Sequence, residues 1–132
     1  MTLQLQLQRP TLDRGAVALE GVNAWGLGLL TLMAFFTVVM WGLAKDSARA
    51  AAEAALYDAQ MEYATAGDGI AIGSEVVDVR AGQTLQNAEV TVDRGEETVT
   101  VTVTGDAYPV PLPIEVTLAG PVERFVPEGA GR

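Results

Sequence analysis

Residues Gly21–Ala44 read GVNAWGLGLLTLMAFFTVVMWGLA, and this stretch decides the architecture. From Val22 to Ala44 it carries no charge, and Asn23 is its only strongly polar side chain. At about 1.5 Å rise per residue, a helix of that length spans roughly 35 Å, enough to cross a hydrocarbon core with some tilt. Trp25 and Trp41 lie sixteen positions apart, or roughly 24 Å along such a helix. One indole is therefore expected near each membrane interface. The length and the lack of charge argue against a helix buried in a soluble core. The run is too long for a cleaved secretory signal, and no small-x-small site closes it.

The rest of the chain is unlike this stretch. The 132 residues are 49% hydrophobic yet carry a formal net charge of -9. Up to Ala44 the ionisable residues are Arg9, Asp13, Arg14 and Glu20, which cancel, so the net negative charge lies from Lys45 onward. The length suits one membrane segment and one small domain. An acidic domain repels nucleic acid and anionic headgroups. No basic patch or aromatic stacking platform is present, so nucleic acid is not an expected partner. The chain has no cysteine and no histidine, which removes disulfides, thiolate metal sites, a cysteine nucleophile and the commonest general base. No cofactor or metal is expected, and no enzymatic activity.

Downstream, KDSARAAAEAALYDAQMEYATA (Lys45–Ala66) is alanine-rich and free of glycine and proline, so the helix is expected to continue out of the bilayer. Ala48, Ala52, Ala55, Leu56, Ala59 and Tyr63 recur at helical spacing and form a stripe. Gly67-Asp68-Gly69 reads as the stop signal. The period then changes to two. Ala88–Asp93 and Thr98–Thr104 alternate apolar and polar residues and are rich in β-branched ones, which predicts two half-buried strands. Arg94-Gly95 sits between them, where glycine can supply a positive φ, so the two runs read as a hairpin. One face of the hairpin presents valines, and the alanine stripe is the sizeable surface available to cover it. Ile114, Val116 and Leu118 suggest another strand, and Ser74–Arg80 one more. Tyr108–Pro113 alternates with three prolines and is expected to be an extended, polyproline-like connector. The fold class is α+β. It comprises a leader (1–15), a transmembrane helix (16–44), an extracytoplasmic helical extension (45–66), a small antiparallel β domain (67–126) and a tail (127–132). Met1–Asp13 is expected to be unstructured.

The segment carrying chemistry is Arg14-Gly15-Ala16-Val17-Ala18-Leu19-Glu20, directly before the apolar run. A carboxylate at the mouth of a span costs up to roughly 2.5–3.5 kcal/mol, less near the interface, and implies a partner or a task. This arrangement resembles the prepilin peptidase site of type IV pilins. The resemblance implies cleavage between Gly15 and Ala16 on the cytoplasmic side, with Glu20 the fifth residue of the mature chain. Gly15 has no side chain to obstruct a protease pocket. The new α-amine on Ala16 can pair with the glutamate of a neighbouring subunit, offsetting desolvation of both charges. The positive-inside count is tied, Arg9 and Arg14 before the span against Lys45 and Arg49 after it. The N-terminus is therefore read as cytoplasmic from the cleavage motif alone.

From Arg14 to about Phe125 the chain resembles the TadE-like family of the Flp/Tad pilus system. The shared features are RGAVALE, the alanine-rich Ala48–Ala55, the VTVDRGEETVTVTVTG hairpin, and AGPVERF with a proline-rich segment before it. Gly67–Asn87 departs from that pattern. The resemblance implies a minor, pilin-like subunit of the bacterial cytoplasmic membrane. Its implied partners are prepilin peptidase, other pilin or pseudopilin subunits and the pilus assembly platform. The rival is an uncleaved, signal-anchored accessory protein whose β domain recruits a partner. Ala24 and Gly28 make a small-residue face that either admits a second helix or is ordinary glycine usage within a span. Glu96-Glu97 is read as a solvated turn, Asp68 as a turn cap, and Tyr57 and Tyr63 as packing against the hairpin.

Overall fold

The computed structural model describes residues 12–124 and Gly129. Most of the expected leader and, apart from Gly129, the expected tail lie outside the described residues. The elements in chain order are α1 (Leu12–Gln60), α2 (Ala66–Val76), a π-helical turn (Val77–Ala81), β1 (Leu85–Arg94), β2 (Thr98–Ala107) and β3 (Pro113–Pro121). Leu12 and Asp13 already belong to α1, so the expected unstructured leader does not extend that far. The chain divides into two compact units, one ending at Phe36 and one beginning at Thr37.

In the first unit the helix is apolar all round and bare. Trp25 is 83% exposed, and Leu19, Val22, Leu27, Leu30 and Phe35 are likewise exposed. Only 6% of the most apolar window of α1 is buried. Burying a large apolar side chain is worth roughly 1.5–3 kcal/mol. Leaving this set in water forfeits a sum comparable with the whole net stability of a small domain, about 5–15 kcal/mol. The helix therefore belongs in a medium that covers it, and by length and composition it is able to cross a membrane.

The second unit has a core built by patterning. Ala44, Ala48, Ala51, Ala52, Ala55 and Ala59 are fully buried along one face of α1. Leu56 packs at its margin. The sheet is three-stranded and antiparallel, in the order β1-β2-β3. Its registers align Val92, Val101 and Leu118 in one row across the sheet and Val90, Val103 and Val116 in the next. Val99, Val101 and Val103 of the central strand have no exposure, while Thr91, Asp93, Glu115 and Thr117 line the exposed face. Methyl side chains on the helix let the sheet approach closely, and Val99, Val101 and Val103 are the largest fully buried side chains. The predicted hairpin, third strand and alanine-on-valine packing are all present.

Four local expectations are corrected. Gly67-Asp68-Gly69 does not stop the first helix. α1 ends at Gln60, and these residues form the first turn of α2. Thr65 is the N-cap of α2 and makes a full capping box with Asp68. The Thr65 hydroxyl and backbone N–H donate to that carboxylate and hold it below the ordinary aspartate range. The strand expected at Ser74–Arg80 is helical: the buried residues Gly69, Gly73, Val77 and Ala81 recur every four positions, the helical spacing. The left-handed residue of the hairpin is Asn87 (φ 52°), not Gly95. Asn87 sits in a β-bulge between Gln86 and Glu89. The extra residue shifts the alternation, so Leu85 and Val90 both face the core despite their odd spacing. Finally, Tyr108–Pro113 is not a polyproline helix. It contains a cis Tyr108–Pro109 bond and folds back so that Ala107 N–H donates to Leu112 O at 2.9 Å.

Two contacts fix α2 and the end of α1. A Cβ on Gly69 would lie 2.9 Å from the Ala55 carbonyl oxygen and from Ala59 Cβ, and one on Gly73 would lie 2.9 Å from Val90 Cγ1. These glycines are what allows α2 to wedge between α1 and β1. The last turn of α1 carries no basic residue. Arg94, from the end of β1, supplies the charge from outside. Its Nε donates to Ala59 O at 3.0 Å, and its Nη2 donates to Met61 O at 2.9 Å and Glu62 O at 3.4 Å. A guanidinium there satisfies orphan carbonyls and complements the helix dipole.

Thermal unfolding of the detergent-solubilised chain, followed by loss of the sheet signal, tests both contacts. Gly69→Ala is expected to destabilise by about 1–3 kcal/mol because the facing atom is backbone. Gly67→Ala, whose Cβ would meet only Thr65 Oγ1 at 3.5 Å, is expected to be neutral or stabilising by up to about 1 kcal/mol. Arg94→Met is expected to cost about 1–2 kcal/mol.

Candidate functional site

The predicted site residues all lie on α1. Gly15 is exposed, with nothing within 4 Å of where a Cβ would stand. Ala16 is in the same helix; its side chain is outside those described. Glu20 is exposed one turn further on. Ala24 and Gly28 follow at successive spacings of four, so Glu20, Ala24 and Gly28 share one inclined ridge of the helix. The carboxylate and the small residues, read separately in the sequence, thus form one feature. Over it the helix rises roughly 12 Å.

Beside that ridge Ala24, Trp25, Gly28, Leu29 and Leu32 line a shallow groove whose surface is almost entirely apolar. Its floor exists because Ala24 and Gly28 present little or no side chain, and Trp25 and Leu32 form walls. A second helix seated there would gain close van der Waals contact, the main source of helix association in lipid. The hydroxyl of Thr31 is bonded to Leu27 O at 2.9 Å and so imposes no unmet demand on the apolar surroundings.

At the other end of the apolar run the two tryptophans are not equivalent. Trp41 is half-buried against the core of the second unit, and Lys45 Nζ stands 5.1 Å from its ring centroid. That is within cation–π range. Trp25 has no such packing. Tyr57 and Tyr63 are 69% and 90% exposed, so neither packs against the hairpin as expected. Tyr63 falls in the turn after Gln60, where the helical stripe has ended. Glu96 and Glu97 are exposed at the hairpin tip. Among the described residues no group of three or more His, Cys, Asp or Glu side chains is placed to hold a metal ion.

No protein-family model matches the chain, and neither does any curated protein or solved structure. The functional reading therefore rests on the residues themselves.

If the ridge is a helix-docking surface, Gly28→Ile is expected to suppress cross-linking between chains carrying Gly21→Cys in bilayers. Leu30→Ile, on the opposite side of the helix, is expected to leave it unchanged.

Proposed function

We propose that this chain is a TadE-like minor pseudopilin of a Flp/Tad pilus or related secretion machine. In this reading it is made with a leader ending at Gly15, inserted with that leader in the cytoplasm, and cleaved before Ala16 by a prepilin peptidase. It then acts in pilus assembly through lateral helix contacts with other pilin or pseudopilin subunits and the assembly platform. The observation that carries the reading is the coincidence of Arg14-Gly15 and Glu20 with the start of a bare apolar helix. Glu20 is an uncompensated carboxylate among the described residues of that segment. The α-amine created at Ala16 on a neighbouring subunit is a chemically suitable partner. Placement of Glu20 on the small-residue ridge supports the same reading, because a helix docked along the groove would come within reach of it. The acidic β domain then lies on the extracytoplasmic side of a bacterial cytoplasmic membrane.

One observation favours the rival, an uncleaved anchored protein. Gly15 and Ala16 lie inside α1, which begins at Leu12, and a protease must unwind that first turn to reach the bond between them. Intact mass and N-terminal sequence, with and without a prepilin peptidase, separate the two. A mature chain beginning at Ala16 only when the peptidase is present is the expected result. Retention of Met1–Gly15 in both cases would overturn the proposal. Glu20→Ala is further expected to block assembly while leaving membrane insertion and cleavage intact.

A further inference from the structure

The Tyr108–Leu112 connector presents apolar side chains to the outside. Tyr108, Val110 and Leu112 are 48%, 43% and 38% exposed. No charged residue occurs between Asp106 and Glu115. Contacts within the second unit fix its position along α1. α2 runs back along α1, since Gly69 lies against Ala55 and Ala59 while Gly73 lies against Ala51 and Ala55. The same progression brings Val77 and Ala81 to the level of Ala44 and Ala48, with which they share a core. β1 then climbs again until Arg94 reaches Ala59 O. From Leu85 to Arg94 a strand rises roughly 30 Å, and from Trp41 to Ala59 a helix rises roughly 27 Å. The Leu85 end of the sheet is therefore level with Trp41–Lys45. Tyr108 N–H donates to Thr84 O at 3.0 Å, which ties the connector to that end.

That level is where the apolar run ends and the first lysine follows it. We infer that the Tyr108–Leu112 loop, together with Val79, seats in the bilayer interface as a second membrane contact of the chain. The inference rests on the reading that Val22–Ala44 crosses a bilayer. The loop's backbone suits an interface. Pro109, Pro111 and Pro113 have no N–H to desolvate. The N–H groups of Tyr108 and Leu112 are already bonded, to Thr84 O and Val110 O. Tyrosine belongs at headgroup depth. Val79, 78% exposed on the π-helical turn, adds apolar surface at the same end. Lys45 and Arg80 lie at this level, but so do Asp46, Asp78, Asp106 and Glu115. The contact is therefore apolar burial into the acyl boundary, not attraction to anionic lipid, and it does not need acidic headgroups.

The chain has no cysteine, so single spin labels report cleanly. Val110→Cys and Leu112→Cys, in the full chain reconstituted in phosphatidylcholine vesicles, are compared with Leu30→Cys in the span and Glu97→Cys at the hairpin tip. The readout is collision with oxygen, which partitions into lipid, against a water-soluble nickel chelate. The loop labels are expected to show an oxygen-to-nickel ratio severalfold above that at Glu97, and below that at Leu30. Loop labels matching Glu97 while Leu30 reads as lipid would overturn the inference and leave the span intact. Water-like values at Leu30 as well would overturn both.

Discussion

The fold of the second unit depends on one steric condition, that a helix face made of methyl groups can lie almost flush with a sheet face made of valines. The six buried alanines of α1 give the sheet its approach distance, and the rows of Val90, Val103 and Val116 and of Val92, Val101 and Leu118 give it the apolar area. Each surface needs the other, since a sheet that is apolar on one face must bury that face against another element. The condition propagates outward. α2 enters the remaining gap only because Gly69 and Gly73 present no Cβ to Ala55, Ala59 and Val90. Arg94 reaches the end of α1 only because the sheet has already been brought alongside it.

Much of this was legible in the sequence because it depends on periodicity. The alternation of Thr98–Thr104 and the alanine spacing from Ala48 to Ala59 are direct consequences of side-chain geometry in strands and helices. What was not legible depends on contacts between distant residues. Gly67 and Gly69 carry the local signature of a helix end, yet Thr65 and Asp68 cap a new helix whose glycines are demanded by Ala55 and Ala59. A capping box was present in Thr65-x-x-Asp68 and could have signalled the start. Ser74–Arg80 sets Val76 directly beside Val77, so it lacks the strict alternation that marks a strand. The bulge at Asn87 was hidden because its effect is to reconcile Leu85 with Val90, which is visible only once both are known to be buried. At the candidate site the residue types were legible, but their alignment on one ridge required the helix to continue unbroken from Gly15 through Gly28.

The distribution of charge follows from the same division of labour. The apolar run excludes charge from Val22 to Ala44, and the acidic residues lie on the surface of the second unit, where they keep its exposed threonine face solvated. A net charge of -9 on so short a chain disfavours self-association of that unit through its surface. If chains of this kind assemble side by side, the attraction must come from elsewhere.

Small residues serve both parts of α1, but the energy behind them differs. From Ala44 to Ala59 water supplies the driving force, because bringing valines against the helix removes apolar area from solvent. The alanines need only be small. Around Ala24 and Gly28 lipid would surround the helix, and lipid gives apolar side chains no reason to prefer protein. A small-residue groove there lowers the distance of approach without itself providing much attraction. On the proposed function, Glu20, on the same ridge, would supply what the groove lacks. A carboxylate at the membrane boundary gains more from an opposite charge than any methyl group gains from a groove, and it gains it only at one register along the helix. On the proposed function, the groove would set how close a partner can come, and the carboxylate would set which partner and at what height.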